Sequence, residues 1–185
     1  MTEILLQRTR AANVAAFYDD FFSHYPDWYS LTNADSEGLE SFLRPLGIWR
    51  RRTATLVNLA NAIMEMDGRV PHDRVEIEKL PGVGQYVANA IQLLAAGTPA
   101  PLLDAGMARV LERYFGPRTL ADIRYDKYLQ DLAWRVVSCD KAIEVNWGIL
   151  DLSAVLCKNR EPLCSQCPLK KGCNYYQGNV SERLV

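Results

Sequence analysis

The chain has no excess of basic residues. Its 21 Lys and Arg stand against 22 Asp and Glu, for a net charge of −1. Bulk charge therefore announces no nucleic-acid partner, and any anion would have to be held by a local patch. It has no long hydrophobic run either. The longest apolar stretch, residues 88–96, is interrupted by Asn89 and Gln92 and is too short to span a bilayer, so no membrane partner is expected. A signal peptide is missing: Ile4, Leu5 and Leu6 are followed at once by Gln7, Arg8 and Arg10. Repeats and low-complexity segments are absent, and alternating strand patterns are scarce. These absences leave a cytoplasmic globular protein. In that compartment clustered cysteines are metal ligands more often than disulfides.

What is present is helical periodicity. Apolar positions recur at helical spacing over residues 2–25, with Pro26 as a stop. The run Thr32-Asn-Ala-Asp35 reads as a cap before a helix holding Leu39, Phe42 and Leu43, which Pro45-Leu-Gly47 breaks. A long helix is expected over 51–66, with Leu56, Leu59, Ile63 and Met66 on one face. Shorter ones are expected over 73–79, 85–96, 104–114, 126–137 and 143–156. The composition, 49% hydrophobic and 23% charged, suits an all-α fold of about nine or ten short helices. Arg50, Arg51 and Arg52 read as a solvated face or a phosphate patch, and Cys139 as a buried core thiol.

Four of the five cysteines, Cys157, Cys164, Cys167 and Cys173, fall in the pattern C-x6-C-x2-C-x5-C. Thiolates this close can surround one metal centre. Four-cysteine zinc sites also use C-x2-C, but a zinc ribbon has two such pairs, and here only the middle pair has that spacing. The pattern favours an iron–sulfur cubane over zinc. Lys158, Arg160, Lys170 and Lys171 outweigh Glu161 in the loops between, so the clamped loop could be offered to phosphates.

The second signal is Leu80-Pro-Gly-Val-Gly-Gln-Tyr-Val-Ala88. Gly82 and Gly84 permit positive φ and close backbone approach, and the next helix presents free amides at its N-terminus. A small-residue helix then follows. This is the pattern of a helix–hairpin–helix that grips a DNA backbone without reading sequence.

Taken in order, LPGVGQYVA, Asp104 in LLDAGMARVL and the cysteine tail resemble the endonuclease III (HhH-GPD) superfamily of base-excision DNA glycosylases. The opening TEILLQRT, with Gln7 and Thr9, is similar to the adenine-mismatch branch and more similar to the Mig-type thymine–guanine mismatch glycosylases. The resemblance runs over residues 2–176. It implies a helical-barrel domain carrying the hairpin (residues 1–98) and a smaller helical part with the catalytic aspartate and a [4Fe-4S] cluster on Cys157, Cys164, Cys167 and Cys173 (residues 99–185). It also implies a monomer acting on double-stranded, nucleoid-associated DNA that contains a mismatched or damaged base. Bifunctional members carry a Schiff-base lysine where this chain has Tyr86, so a monofunctional enzyme removing thymine or uracil opposite guanine is expected. Adenine excision, or DNA binding without catalysis, are the alternatives. Asp104 would stabilise the sugar cation, Tyr86 would meet the extruded base or sugar, and Glu3 would handle protons. Gln7, Arg8, Ile48 and Trp49 would enter the duplex, while Gly82, Val83, Gly84, Gln85, Lys158 and Arg160 would hold its backbone. Three departures stand out. The resemblance implies a helix ahead of the segment that opens here at Met1, so Glu3 is expected in a terminal turn; it implies an asparagine where Gly106 stands; and the further domain it associates with oxidised guanine is not expected after Tyr176, which points away from that substrate.

Overall fold

The computed structural model describes residues 1–182, and in these the regular structure is entirely helical. The chain divides into two compact units, Met1–Ala88 and Asn89–Val185. The division falls inside the helix Gln85–Leu94, whereas the sequence suggests a break after residue 98.

The first unit contains α1 (Thr2–Leu6), α2 (Ala11–His24), α3 (Trp28–Thr32), α4 (Ser36–Leu43), α5 (Trp49–Met64) and α6 (Arg74–Lys79). The single helical run expected over 2–25 is in fact two helices, because Arg8 adopts φ +54° and breaks the ladder after Leu6. Helix α3 carries no legible period at five residues. It is held by a capping box between Asp27 and Ser30, with the Ser30 amide donating to Asp27 Oδ1 at 2.7 Å. Asp35 caps α4 as the sequence suggests. Helix α5 is the spine, and α1, α3 and α4 pack on it. Its buried stripe includes Leu56, Leu59 and Ile63, each contributing about 2 kcal/mol of burial. Arg52 lies on the same stripe and is only 2% exposed. The sequence groups it with Arg50 and Arg51 as one basic face, but those two are exposed and Arg52 is not.

The second unit takes up the end of α7 (Gln85–Leu94) and adds α8 (Ala105–Phe115), α9 (Lys127–Val137), α10 (Ala142–Val155) and α11 (Asn174–Glu182). Helix α8 is its spine, packed by α9, α10 and α11. Leu103, Met107, Ala108, Leu111, Leu129, Leu132 and Ala133 form its core. Helix α11 escapes a sequence reading because its apolar positions follow no clear stripe. Cys139 is exposed, not buried: α9 turns Leu129, Leu132, Ala133 and Val137 inward and ends at Val137, so Cys139 falls past the buried face. No helix among the described residues is long and apolar enough to cross a membrane.

Asp126, the fully buried cap of α9, takes amide protons from Leu120, Thr119 and Leu129 and the Thr119 hydroxyl proton. The Leu120 and Leu129 amides lead in holding its carboxyl down at about 2, against 3.8 ordinarily. A lowered carboxylate favours the folded state above its unfolded value, and that contribution is lost as pH falls through the folded value. In Asp126→Asn the amide would put donors against donors. The expected result is a lower melting temperature at neutral pH and a flatter fall between pH 3.8 and about 2, read by thermal melts across pH.

Candidate functional site

In the first unit, three turns carry the residues expected to meet DNA. One is residues 7–10 between α1 and α2, a second is Gly47 and Ile48 ahead of α5, and the third is the hairpin turn around Gly82. Gln7 Nε2 donates to Gly82 O at 3.2 Å and ties the first turn to the third. Thr9 Oγ1 donates to Leu46 O at 3.1 Å and ties the first to the second. Gln7, Arg8, Ile48, Arg51, Arg52 and Thr55 line one pocket of roughly 240 Å³. Arg8 and Ile48 are exposed, and both have positive φ. Trp49 is half-buried beneath the guanidinium groups of Arg44 and Arg50, at 5.5 and 5.3 Å from its ring centre.

The hairpin turn uses its glycines unequally. Gly82 has φ +74°, and a Cβ there would lie 2.1 Å from Thr55 Cγ2, so both conformation and packing demand glycine. Gly84 does not use the left-handed region. It is exposed with open space around its Cα, which suits close approach of another backbone. Val83 is buried and its amide donates to Leu80 O at 3.1 Å, so it shapes the turn and presents no side chain to a ligand. Gln85 and Tyr86 open α7, both half-buried. Glu3 sits in the first turn of α1. Burial pushes its carboxyl above the usual range, and the nearby amino terminus partly opposes the shift.

In the second unit, Asp104 is exposed and caps α8. Its Oδ1 takes the Met107 amide proton at 2.7 Å, and its Oδ2 makes no hydrogen bond among the described residues. The extended segment ahead of it is pinned from two sides. Asn146, fully buried on α10, accepts from the Leu102 amide and donates to Ala100 O and Ala142 O. Asn89 donates to Pro101 O at 2.7 Å. The sequence singles out neither for this role, although a buried asparagine must find partners and Asn146 interrupts an apolar helix. Gly106 leaves no room for a side chain: a Cβ would lie 2.4 Å from Ser153 Oγ and 3.1 Å from Asp104 Oδ1. A side chain there would require the Ser153 hydroxyl to turn away and its Cβ to give by a few tenths of an ångström.

Cys157, Cys164, Cys167 and Cys173 line one small cavity with Arg113, Leu156, Lys170, Tyr175 and Tyr176. Among the described residues no group of three or more Cys, His, Asp or Glu side chains is arranged to hold a metal ion, although the four thiols line this one cavity. Arg113 of α8 anchors the loop, donating to Cys157 Sγ at 3.4 Å, Lys158 O at 2.7 Å and Asn159 O at 3.2 Å. Cys173 Sγ lies 3.3 Å from Arg113 O. Burial pushes the Cys164 thiol up, and Cys157, Cys173 and Cys167 add to this while Arg113 opposes it. Lys158 and Arg160 are exposed, but Lys170 is tied to Ser165 O at 2.7 Å.

The family model described as HhH-GPD superfamily base excision DNA repair protein matches residues 1–137, a span that ends before the four clustered cysteines. The chain is 38% identical over 179 residues to a thymine-DNA glycosylase of Aeropyrum pernix, covering 95% of this chain and 80% of that one. It is 36% identical over 179 residues to a thymine/uracil-DNA glycosylase of Methanothermobacter thermautotrophicus, covering 96% and 80%. A solved structure of a thermostable thymine-DNA glycosylase matches with a TM-score of 0.90 at 36% identity, covering 96% of this chain and 82% of that one.

Proposed function

Because this chain belongs to the HhH-GPD superfamily of base excision DNA repair proteins, we propose that it hydrolyses the N-glycosidic bond of a thymine or uracil opposite guanine in duplex DNA. What carries this reading is the likeness, over nearly the whole chain, to glycosylases named for those two bases.

The residues supply the steps. The target bond is unreachable in the stack, so the base must be extruded, and Arg8 and Ile48, both exposed, would occupy the space it leaves. Gly82, Gly84 and the start of α7 would receive a phosphate. As the bond breaks, the electron pair leaves with the pyrimidine as an anion and the sugar becomes cationic at C1′. Asp104 would stabilise that charge with its carboxylate. Water then adds to C1′, and its proton passes to a base such as Asp104. Glu3, with its raised affinity for a proton, would serve the departing base. Tyr86 would contact the extruded nucleotide. A phenol forms no imine, so strand cleavage should need added alkali.

Four thiols line one cavity, with the Arg113 guanidinium beside Cys157, and this supports a group that takes four thiolates. Cys157, Cys164, Cys167 and Cys173 would hold a [4Fe-4S] cluster. Bound there, it would supply a structural clamp that presents Lys158 and Arg160 to phosphates.

The test is single-turnover release from duplexes carrying G·T, G·U, G·A and oxidised-G·A, with and without alkali. Alkali-dependent breaks at T or U are expected. Release of adenine would move the protein to the adenine branch. Binding without any release would make it a non-catalytic relative.

A further inference from the structure

Arg52 is a charge almost fully buried in the first unit, and among the described residues no carboxylate pairs with it. Burial lowers its hold on the proton, which marks the cost of keeping a guanidinium there. Only neutral acceptors compensate. Nε donates to Ile4 O at 3.3 Å. Nη1 donates to Leu46 O at 3.1 Å and to Gly47 O. Nη2 donates to Gln7 O at 2.7 Å and Thr9 Oγ1 at 2.8 Å. If Arg52 only filled the core, an aliphatic side chain would do so at lower cost.

The choice of acceptors shows a pattern. Gln7 O belongs to the peptide plane immediately before Arg8, and Gly47 O to the plane immediately before Ile48. Arg8 and Ile48 are the non-glycine residues of these two turns with positive φ, at +54° and +44°. A left-handed backbone is unfavourable for both, and persists only where surrounding bonds over-determine it. One planar guanidinium grips both planes, with its donors in a fixed fork. Thr9 closes the link, accepting from Arg52 and donating to Leu46 O on the other turn.

We infer that Arg52 is a positioning residue that locks the Arg8 turn and the Ile48 turn into one rigid two-pronged wedge for opening the duplex. The inference rests on the proposal that these turns enter DNA, and it adds a residue that never touches DNA itself. Rigidity matters because a wedge that yields on contact cannot transmit binding energy into unstacking.

The test uses the intact protein and a G·T duplex with 2-aminopurine beside the target, whose fluorescence rises when the neighbouring base leaves the stack. A 2′-fluorinated target sugar resists bond cleavage and isolates this step, and an unmodified duplex reports release. The variants are Thr9→Val, which leaves Arg52 in place but removes the bridge, and Arg52→Lys, which keeps the charge but loses the fork. Thr9→Val is expected to slow release by about tenfold and Arg52→Lys by about a hundredfold, from the loss of one and of several charge-assisted bonds. The fluorescence rise should shrink in step, while DNA affinity and the melting temperature of Thr9→Val stay near the parent's. Parental fluorescence and release in Thr9→Val, whether or not Arg52→Lys folds, would overturn the inference. So would a loss of affinity and melting temperature in proportion to rate, which marks a purely structural residue. A parent that gives neither fluorescence rise nor release would instead remove the proposed function itself, and the inference with it.

Discussion

Asp104→Asn is expected to slow base release by about a hundredfold or more while leaving the fold and DNA binding in place. The reason lies in the division of labour between the two carboxylate oxygens. Oδ1 caps α8 through the Met107 amide at 2.7 Å. An asparagine Oδ1 can accept the same bond, and the two residues are about equal as helix caps. What the substitution removes is the negative charge that a sugar cation would meet. Thermal melts and binding to the G·T duplex should therefore match the parent, and only the single-turnover rate should drop. A parental rate in a normally folded variant would show that Asp104 is a cap and nothing more.

Tyr86→Lys should create an activity. An amine at this position could attack C1′ after base loss, expel water on forming an imine, and open a route to strand cleavage without alkali. Borohydride would then reduce the imine and leave protein covalently joined to DNA, a product the parent should not give. The half-buried setting at the start of α7 favours the neutral, nucleophilic amine, because burial disfavours a lysine's charge. Tyr86→Phe is the control and should give no adduct. Base release by Tyr86→Lys with no trapped complex would place position 86 away from the sugar.

Features set by neighbouring residues are legible in the sequence, and those set by distant ones are not. The caps at Asp35, Asp73, Asp104 and Asp126 can be read from sequence because a cap and its helix are adjacent in the chain. Most long helices are legible for the same reason, with ends displaced by a residue or two, as α5 is at 49–64 against the expected 51–66. The short α3, and the break at Arg8, are not, since five residues and a single left-handed residue leave no period. Arg52 did leave a trace. It continues the stripe of Leu56, Leu59 and Ile63, and a charge in that register must either leave the core or find acceptors within it.

By itself, then, the sequence determined the helical character, the spacing of four thiols, the glycine turn and the identity of residue 86, because each is written in neighbouring residues. Tertiary structure alone decided that Arg52 is buried and which carbonyls it gathers, that Asn146 and Asn89 pin the approach to Asp104, and that Cys139 lies outside the core. Those outcomes depend on groups distant in the chain converging in space. Local periodicity carries no information about which distant acceptors a buried donor will meet.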